Sequence, residues 1–246
     1  MVMDAPQRAR PDGALRRFLR ARLSREGVLG LQLTLGALVL VAAAWAFGGI
    51  AEDVVHSDPI VALDANLATW LHAHGTPAMT RAMRVISWLN GIAAVSVLGA
   101  LFALFLAWRR QRDWLLVLVL CLPAGMLLNS VLKLAFARVR PHFDDPLVVL
   151  STWSFPSGHV AGATLFYGVL ACYLVARSRG RGERIAIVAA AGLMIALVAA
   201  SRMYLGAHWF SDVLAAFLEG IAWLALCVTG VGVHVRRRSA REGSRA

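Results

Sequence analysis

Apolar residues in this chain fall into six long runs rather than the short alternations of a water-soluble fold. The runs are Val28–Ile50, Val85–Trp108, Trp114–Leu132, Val160–Ala176, Ile185–Ser201 and Val213–Val235. Each is close to the ~20 residues that a helix needs to cross a ~30 Å hydrocarbon core. The fourth and fifth are shorter, with polar ends suited to the interface. Glu219 is the one acid inside the sixth. The pattern predicts an all-α integral membrane bundle of six transmembrane helices.

The segments between the runs carry their own signals. In the stretch 51–84, Leu63, Leu67, Trp70 and Leu71 recur at helical spacing, which predicts a short interfacial helix in the first external loop. Thr76-Pro77 then reads as the N-cap and first residue of the next helix. The turns Arg109–Asp113 and Arg177–Arg184 are short, so the helices they join are expected to be antiparallel neighbours. Val139–Phe155 is longer, contains Pro141, Asp144, Asp145 and Pro146, and is expected to arch over the outer face. No internal repeat divides the chain. The expected organisation is a basic arm over 1–27, a six-helix membrane domain over 28–235 and a basic tail over 236–246. Ala44-Trp45-Ala46 has the small residues of a cleavage site, but the run before it exceeds the about 7–15 residue core of a signal peptide. Retention of the first helix is therefore expected.

Charge orients this bundle. The chain is 59% hydrophobic and only 16% charged, yet its net charge is +11. Of its 25 basic residues, 7 precede Val28, 3 lie in Arg109–Arg112, 4 in Arg177–Arg184 and 5 follow Val235. Six crossings put all of these on one side, which the positive-inside rule makes the cytoplasm, together with both termini. The basic segments are separate loops without interleaved stacking aromatics, which argues against nucleic acid as a partner. Cys121, Cys172 and Cys227 are odd in number and lie inside apolar runs, as small buried hydrophobes do. His72 and His74, two apart, face different sides of a helix and suggest a headgroup-level role rather than a metal site.

The remaining basic residues are Arg81, Arg84, Lys133, Arg138, Arg140 and Arg202, and four of them fall in or between polar clusters at the outer ends of the runs. The first cluster is Lys133-x6-Arg140-Pro141. Counting from Trp114 at about 1.5 Å per residue, Lys133 rises about 28 Å to the outer interface. An isolated lysine there is an ordinary snorkelling residue. This one is the only lysine in the chain, and Arg140 adds a planar fork suited to phosphate oxygens. Asn129, one turn below, is placed to orient it.

The second cluster, Pro156-Ser157-Gly158-His159, opens the fourth run. Ser157 is a natural N-cap, Gly158 admits close approach to the backbone, and the helix start offers free N–H groups to an anion. A plain helix cap is the bland alternative. In the third, Ser201-Arg202-x5-His208-x3-Asp212, the i, i+4 spacing puts imidazole and carboxylate on one helical face. A carboxylate on one ring nitrogen fixes the tautomer and frees the other as a nucleophile. Glu219 lies on the same face two turns deeper. It is either a supporting group that bonds Asn129 or Lys133, or a structurally paired acid.

These three clusters resemble, at every fixed position, the signature of the type-2 phosphatidic acid phosphatase and vanadium haloperoxidase superfamily, in its membrane-bound lipid phosphatase branch. The resemblance covers roughly residues 60–230. It implies a helical bundle with one phosphate pocket, no required metal or other cofactor, and a catalytic set of His208, His159 and Asp212. By that resemblance His208 attacks phosphorus to form a phosphohistidine, Asp212 orients it, and His159 protonates the leaving oxygen and then activates water. Lys133, Arg140, Ser157, Gly158 and Arg202 hold the phosphate oxygens, with Asn129 and Glu219 in support.

The implied substrate is a phosphorylated lipid at the outer leaflet of a bacterial-type inner membrane. Undecaprenyl pyrophosphate, phosphatidic acid, phosphatidylglycerol phosphate and lipid A phosphates are the candidates. A lipid phosphotransferase using the same phosphohistidine and a non-catalytic phospholipid-binding membrane protein are the alternatives.

Overall fold

The structure, a computed structural model, describes residues 28–57 and 59–243. The basic arm expected over 1–27 lies outside the described residues. Among the described residues eight helices occur in order: α1 (Val28–His56), α2 (Pro59–Ala73), α3 (Pro77–Leu89), α4 (Ile92–Trp108), α5 (Arg112–Phe136), α6 (Gly158–Val175), α7 (Arg181–Tyr204) and α8 (Phe210–Gly243). There is no strand among the described residues. Helices α1, α5, α6, α7 and α8 are each long and apolar enough to cross a membrane, and α3 with α4 adds a sixth if that bent pair is one span. Trp45 and Trp108 are 82% and 77% exposed, as outward-facing side chains in lipid are.

The second run departs from the expectation of one continuous helix over Val85–Trp108. It breaks at Asn90–Gly91, and α3 and α4 meet at 45°. Local chemistry explains the break. The Asn90 side-chain amide turns back to the Ile86 carbonyl at 2.9 Å and accepts the Tyr167 hydroxyl at 2.9 Å, while the Gly91 N–H closes a turn on Trp88 at 3.1 Å. Backbone groups freed from the helix ladder are thus re-satisfied inside the protein. Thr76 and Pro77 begin α3 as expected, with Thr76 Oγ1 accepting the Met79 N–H. Helix α8 continues through the basic residues that follow Val235 to Gly243.

Helix α6 is the axis of the bundle. It packs against α4, α5, α7 and α8, and 61% of its most apolar window is buried against 11% for α1 and for α7. Leu106, Val117, Leu118, Cys121, Leu165 and Val169 form the main cluster, and Val160, Ala163, Val198 and Ala216 form a second one nearer the start of α6. In lipid such packing relies on close backbone approach at small residues.

Gly220 shows the effect: a Cβ there would sit 2.7 Å from Thr164 Cβ, an atom fixed to the α6 backbone. Gly220→Ala should therefore cost about 1–3 kcal/mol as an overpacked contact. Gly230→Ala, where nothing lies within 4 Å, should be neutral or slightly stabilising. Thermal unfolding of the two variants in detergent checks the pair, and equal melting temperatures would contradict the packing account.

Candidate active site

The three polar clusters are carried to one place by α5, α6, the turn before α8 and the long connection from Ala137 to Ser157. That connection leaves α5 through Ala137, whose left-handed φ of 45° lets its N–H cap the Lys133 carbonyl. It then lays the carbonyls of residues 152–154 beside Lys133 and Arg140. Lys133 Nζ donates to Trp153 O at 2.9 Å and Ser154 O at 3.2 Å. Arg140 donates from Nε to Thr152 O at 2.7 Å, and from Nη2 to Thr152 Oγ1 at 2.9 Å and Trp153 O at 3.0 Å. Both cations are thereby fixed against the backbone of the arch that the sequence pattern predicts.

His208 sits in the turn between α7 and α8. Gly206 makes that turn with φ of +65°, and a Cβ there would press on the Phe143 ring at 3.0 Å. Arg140 Nη1 donates to the Ala207 carbonyl and lies 3.2 Å from His208 Nε2. A guanidinium can only donate, so Nε2 holds the lone pair and Nδ1 the proton. His208 Nδ1 in turn faces Asp212 Oδ2 at 3.4 Å, longer than a hydrogen bond of good geometry.

The imidazole is 2% exposed. Burial, outweighing the attraction of Asp212 and joined by repulsion from Arg140 and Lys133, lowers its pKa to about 3 and keeps it neutral. Burial also lowers the pKa of the Arg140 guanidinium, with Asp212 opposing that shift.

Asp212 is fully buried and held on several sides. Oδ1 accepts Arg138 Nη1 at 2.7 Å, while Oδ2 accepts the Trp209 N–H at 2.9 Å and the Ser154 hydroxyl. His159, on the first turn of α6, lies within electrostatic range of Arg202, His208, Arg140 and Lys133. The break between α3 and α4 reaches it as well, since a Cβ on Gly91 would be 3.8 Å from His159 Nε2. Arg202, 2% exposed, donates Nη1 to Ser87 Oγ from the end of α3.

Three buried polar atoms at this site, Ser157 Oγ, Arg202 Nε and Arg202 Nη2, have no hydrogen-bond partner among the described residues, and His208 Nδ1 has only its long contact with Asp212. Buried polar groups are normally satisfied, so such a set describes a place built for a polar guest. Ser157 stands at the N-cap position of α6, as expected, but makes no side-chain cap bond. Its N–H goes instead to the Asp212 carbonyl at 3.1 Å.

Two helix N-termini therefore meet here with opposite fates. That of α8 is satisfied by acids: Ser211 N–H donates to Asp64 Oδ1 at 2.8 Å and Trp209 N–H to Asp212. That of α6 is left open beside Gly158, where a Cβ would meet Asn129 Oδ1 at 3.3 Å and Lys133 Cε at 3.7 Å. An open helix N-terminus beside a lysine is an arrangement that favours an anion.

Asn129 does not orient Lys133 directly. Its amide donates to Glu219 Oε2 at 2.9 Å, one of the two pairings expected for Glu219, and leaves Glu219 Oε1 without a partner. Lys133 uses its hydrogen bonds on the arch, with Glu219 in electrostatic range only. His72 pairs with Asp145 at 2.8 Å and stacks on Phe143, while His74 stacks on Trp70. Neither histidine has a bond to the site, and no group of three or more metal-type side chains occurs among the described residues.

Sequence reasoning missed Asp64, Ser87, Ser154 and Ser211, and gave Arg138 no role. A signal existed for Asp64, which shares its helical face with Ala68 and Leu71. An acid on an inward-facing stripe in a membrane protein is a candidate functional group. Ser154 and Ser87 had no such signal.

The geometry gathers Lys133, Arg140 and Arg202 with two imidazoles and a buried carboxylate at one end of a helical membrane bundle. The PAP2 superfamily model matches residues 114–236, which contain all three clusters. The chain belongs to the PAP2 superfamily. It is 40% identical over 131 residues to phosphatidylglycerophosphatase B of Bacillus subtilis, covering 53% of this chain and 63% of the relative. It is 31% identical over 137 residues to an undecaprenyl-diphosphatase of Sulfolobus acidocaldarius, covering 53% and 62%. The chain thus spans just under two thirds of the length of each of these relatives.

Among solved structures, it is similar to a transmembrane PAP2-type phosphatidylglycerolphosphate phosphatase from Bacillus subtilis. The TM-score is 0.70 at 30% identity, covering 76% of this chain and 93% of that one. Aquifex aeolicus LpxE gives a TM-score of 0.55 at 26% identity, with 68% and 94% covered.

Proposed function

We propose that this protein is a membrane lipid phosphatase that hydrolyses a phosphate or pyrophosphate monoester of a lipid at the outer leaflet, through a phosphohistidine and without a metal. The observation that carries this reading is the set of unpartnered buried donors around a neutral His208 whose Nε2 lone pair faces Arg140. A site meant only to hold phosphate has no use for a nucleophile kept deprotonated beside the bound anion.

Phosphate binding exchanges the Arg140–Nε2 contact for contacts to phosphate oxygens. Arg140, Lys133, Ser157, the Gly158 N–H and the free Nε and Nη2 of Arg202 then surround the nonbridging oxygens. His159 takes up a second proton once the substrate's negative charge is bound beside it. His208 Nε2 then attacks phosphorus, the bond to the lipid oxygen breaks, and His159 gives that oxygen this proton. The imidazole ring gains positive charge, which Asp212 offsets at Nδ1. In the second half His159, now neutral, takes a proton from water as the water displaces His208 and releases inorganic phosphate. Phosphoryl transfer asks chiefly for in-line positioning and charge neutralisation. Three fixed cations and an open helix end supply that here, in the role a divalent ion fills elsewhere.

Six crossings, with α3 and α4 counted as one bent span, put the basic turns and both ends of the chain in the cytoplasm by the positive-inside rule. The site then faces the periplasm or exterior, and the arm and tail flank a single membrane domain. An interfacial position suits an amphiphile whose headgroup enters while its tail remains in lipid. The names of the relatives support phosphatidylglycerol phosphate and undecaprenyl pyrophosphate as the first substrates to try.

Purified protein in detergent should release phosphate from at least one of a prenyl pyrophosphate, a phosphatidylglycerol phosphate, a phosphatidic acid and a lipid A phosphate, with no lipid acceptor added. EDTA should leave the rate unchanged, and vanadate, a phosphate mimic, should inhibit. Phosphate transfer only in the presence of an acceptor alcohol would make the protein a transferase. Inactivation by EDTA that magnesium reverses would overturn the metal-free mechanism.

A further inference from the structure

Helix α2 sends one carboxylate into the heart of the site. Asp64 is 1% exposed, lies 147 residues before Ser211, and accepts that residue's N–H at 2.8 Å as well as its hydroxyl. Arg138 lies between Asp64 and Asp212. Its Nη2 donates to Asp64 Oδ2 at 2.8 Å, and its Nη1 to Asp212 Oδ1 and Ser211 Oγ, each at 2.7 Å. The guanidinium is 13% exposed and covers the Trp209 ring at 5.6 Å, so little water reaches it. A bidentate fork can bridge two carboxylates in this way, whereas an ammonium acts as a point charge.

We propose that Asp64 and Arg138 are a positioning pair for the catalytic histidine, whose opposed charges set how strongly Asp212 supports His208. This rests on the phosphohistidine reading above. The pair acts through Asp212 and touches no reacting atom. Arg138 holds Oδ1, which leaves Oδ2 on the side of His208 Nδ1 at 3.4 Å. Asp64 draws part of the guanidinium's charge onto itself, so that Arg138 does not fully neutralise Asp212. With both present the pair contributes no net charge, and Asp212 keeps its own.

The groups that face His208 are Asp212 from α8, Arg140 from the arch, Lys133 from α5 and His159 from α6, with Arg202 of α7 beside His159. Arg138 and Asp64 reach it only by way of Asp212.

The two halves of the pair therefore have opposite effects on proton binding at His208. Asp64→Asn leaves Arg138 unopposed, weakens the negative charge at Asp212, and should move the acid limb of kcat/KM downward by about one pH unit. Arg138→Gln should move it upward by a similar amount. The double variant Asp64→Asn/Arg138→Gln removes both charges and should return the limb close to wild type.

The test is the pH profile of kcat/KM for the full chain in detergent, measured on one lipid substrate so that the substrate's own ionisation is common to all variants. Arg138→Gln leaves two buried carboxylates without a counter-charge and is the variant most prone to misfold. Asp64→Asn and the double variant decide the question without it, provided each melts cooperatively. A downward shift that the double variant reverses supports the proposal. An unmoved limb in Asp64→Asn, or a double variant displaced as far as the single one, overturns it, because a merely structural contact would lower the active fraction without moving the limb. Absence of phosphate release by the wild-type protein would instead defeat the phosphatase reading itself.

Discussion

His208→Ala should lower kcat by about 10⁴-fold or more while KM changes little, the pattern of a lost nucleophile. The argument starts from what the side chain does not do. It makes no hydrogen bond that holds the fold, since Nδ1 has only its long contact with Asp212 and Nε2 meets only a guanidinium that has several other acceptors. Removing the ring leaves Arg140, Lys133 and Arg202 in place, so phosphate binding survives. What disappears, on the proposed mechanism, is the atom that bonds to phosphorus.

The decisive measurement is labelling with substrate carrying ³²P at the scissile phosphate, quenched in base because phosphohistidine is acid-labile. Wild type should retain label on the polypeptide, and His208→Ala should retain none. Label that survives in the variant, or a rate near wild type, would remove His208 from the mechanism.

How far the sequence anticipated this site depends on the kind of residue concerned. Lys133, Arg140, His159, Arg202, His208 and Asp212 were legible because charge and imidazole at the end of an apolar run have few structural uses. The helices themselves were legible for the same reason, as uninterrupted apolar length is a strong signal.

Asn90 was not. One polar amide inside a long apolar run looks tolerable in sequence, and only the Tyr167 hydroxyl, 77 residues away, makes a bend there favourable. Ser87 becomes meaningful only after that bend has brought it to Arg202. Asp64 failed for a different reason. The leucines around it gave an interfacial helix a sufficient explanation, and the carboxylate's partners lie 74 and 147 residues away. Single-chain periodicity describes faces of helices, whereas these residues depend on which faces meet.

The second large effect concerns His159, and it separates general acid catalysis from simple charge stabilisation. His159→Ala should lower kcat on a lipid phosphate by about 10²–10⁴-fold, the usual worth of a positioned proton donor. The size of the loss should depend on the leaving group. An alkoxide of a lipid alcohol needs a proton as it departs, whereas p-nitrophenolate leaves without one. On p-nitrophenyl phosphate the first step should therefore run in the variant at close to the wild-type rate.

Release of phosphate from His208 would still require water to be activated, the step that the proposed mechanism gives to His159. The variant should consequently give a burst of nitrophenolate close to one equivalent per enzyme, followed by a slow steady state, with the protein trapped as phosphohistidine. Rapid-quench kinetics reads both quantities. A variant that slows lipid and nitrophenyl substrates equally, with no burst, would mean that His159 acts only by its position among Arg202, Arg140 and Lys133. The proton would then have to come from elsewhere in the site.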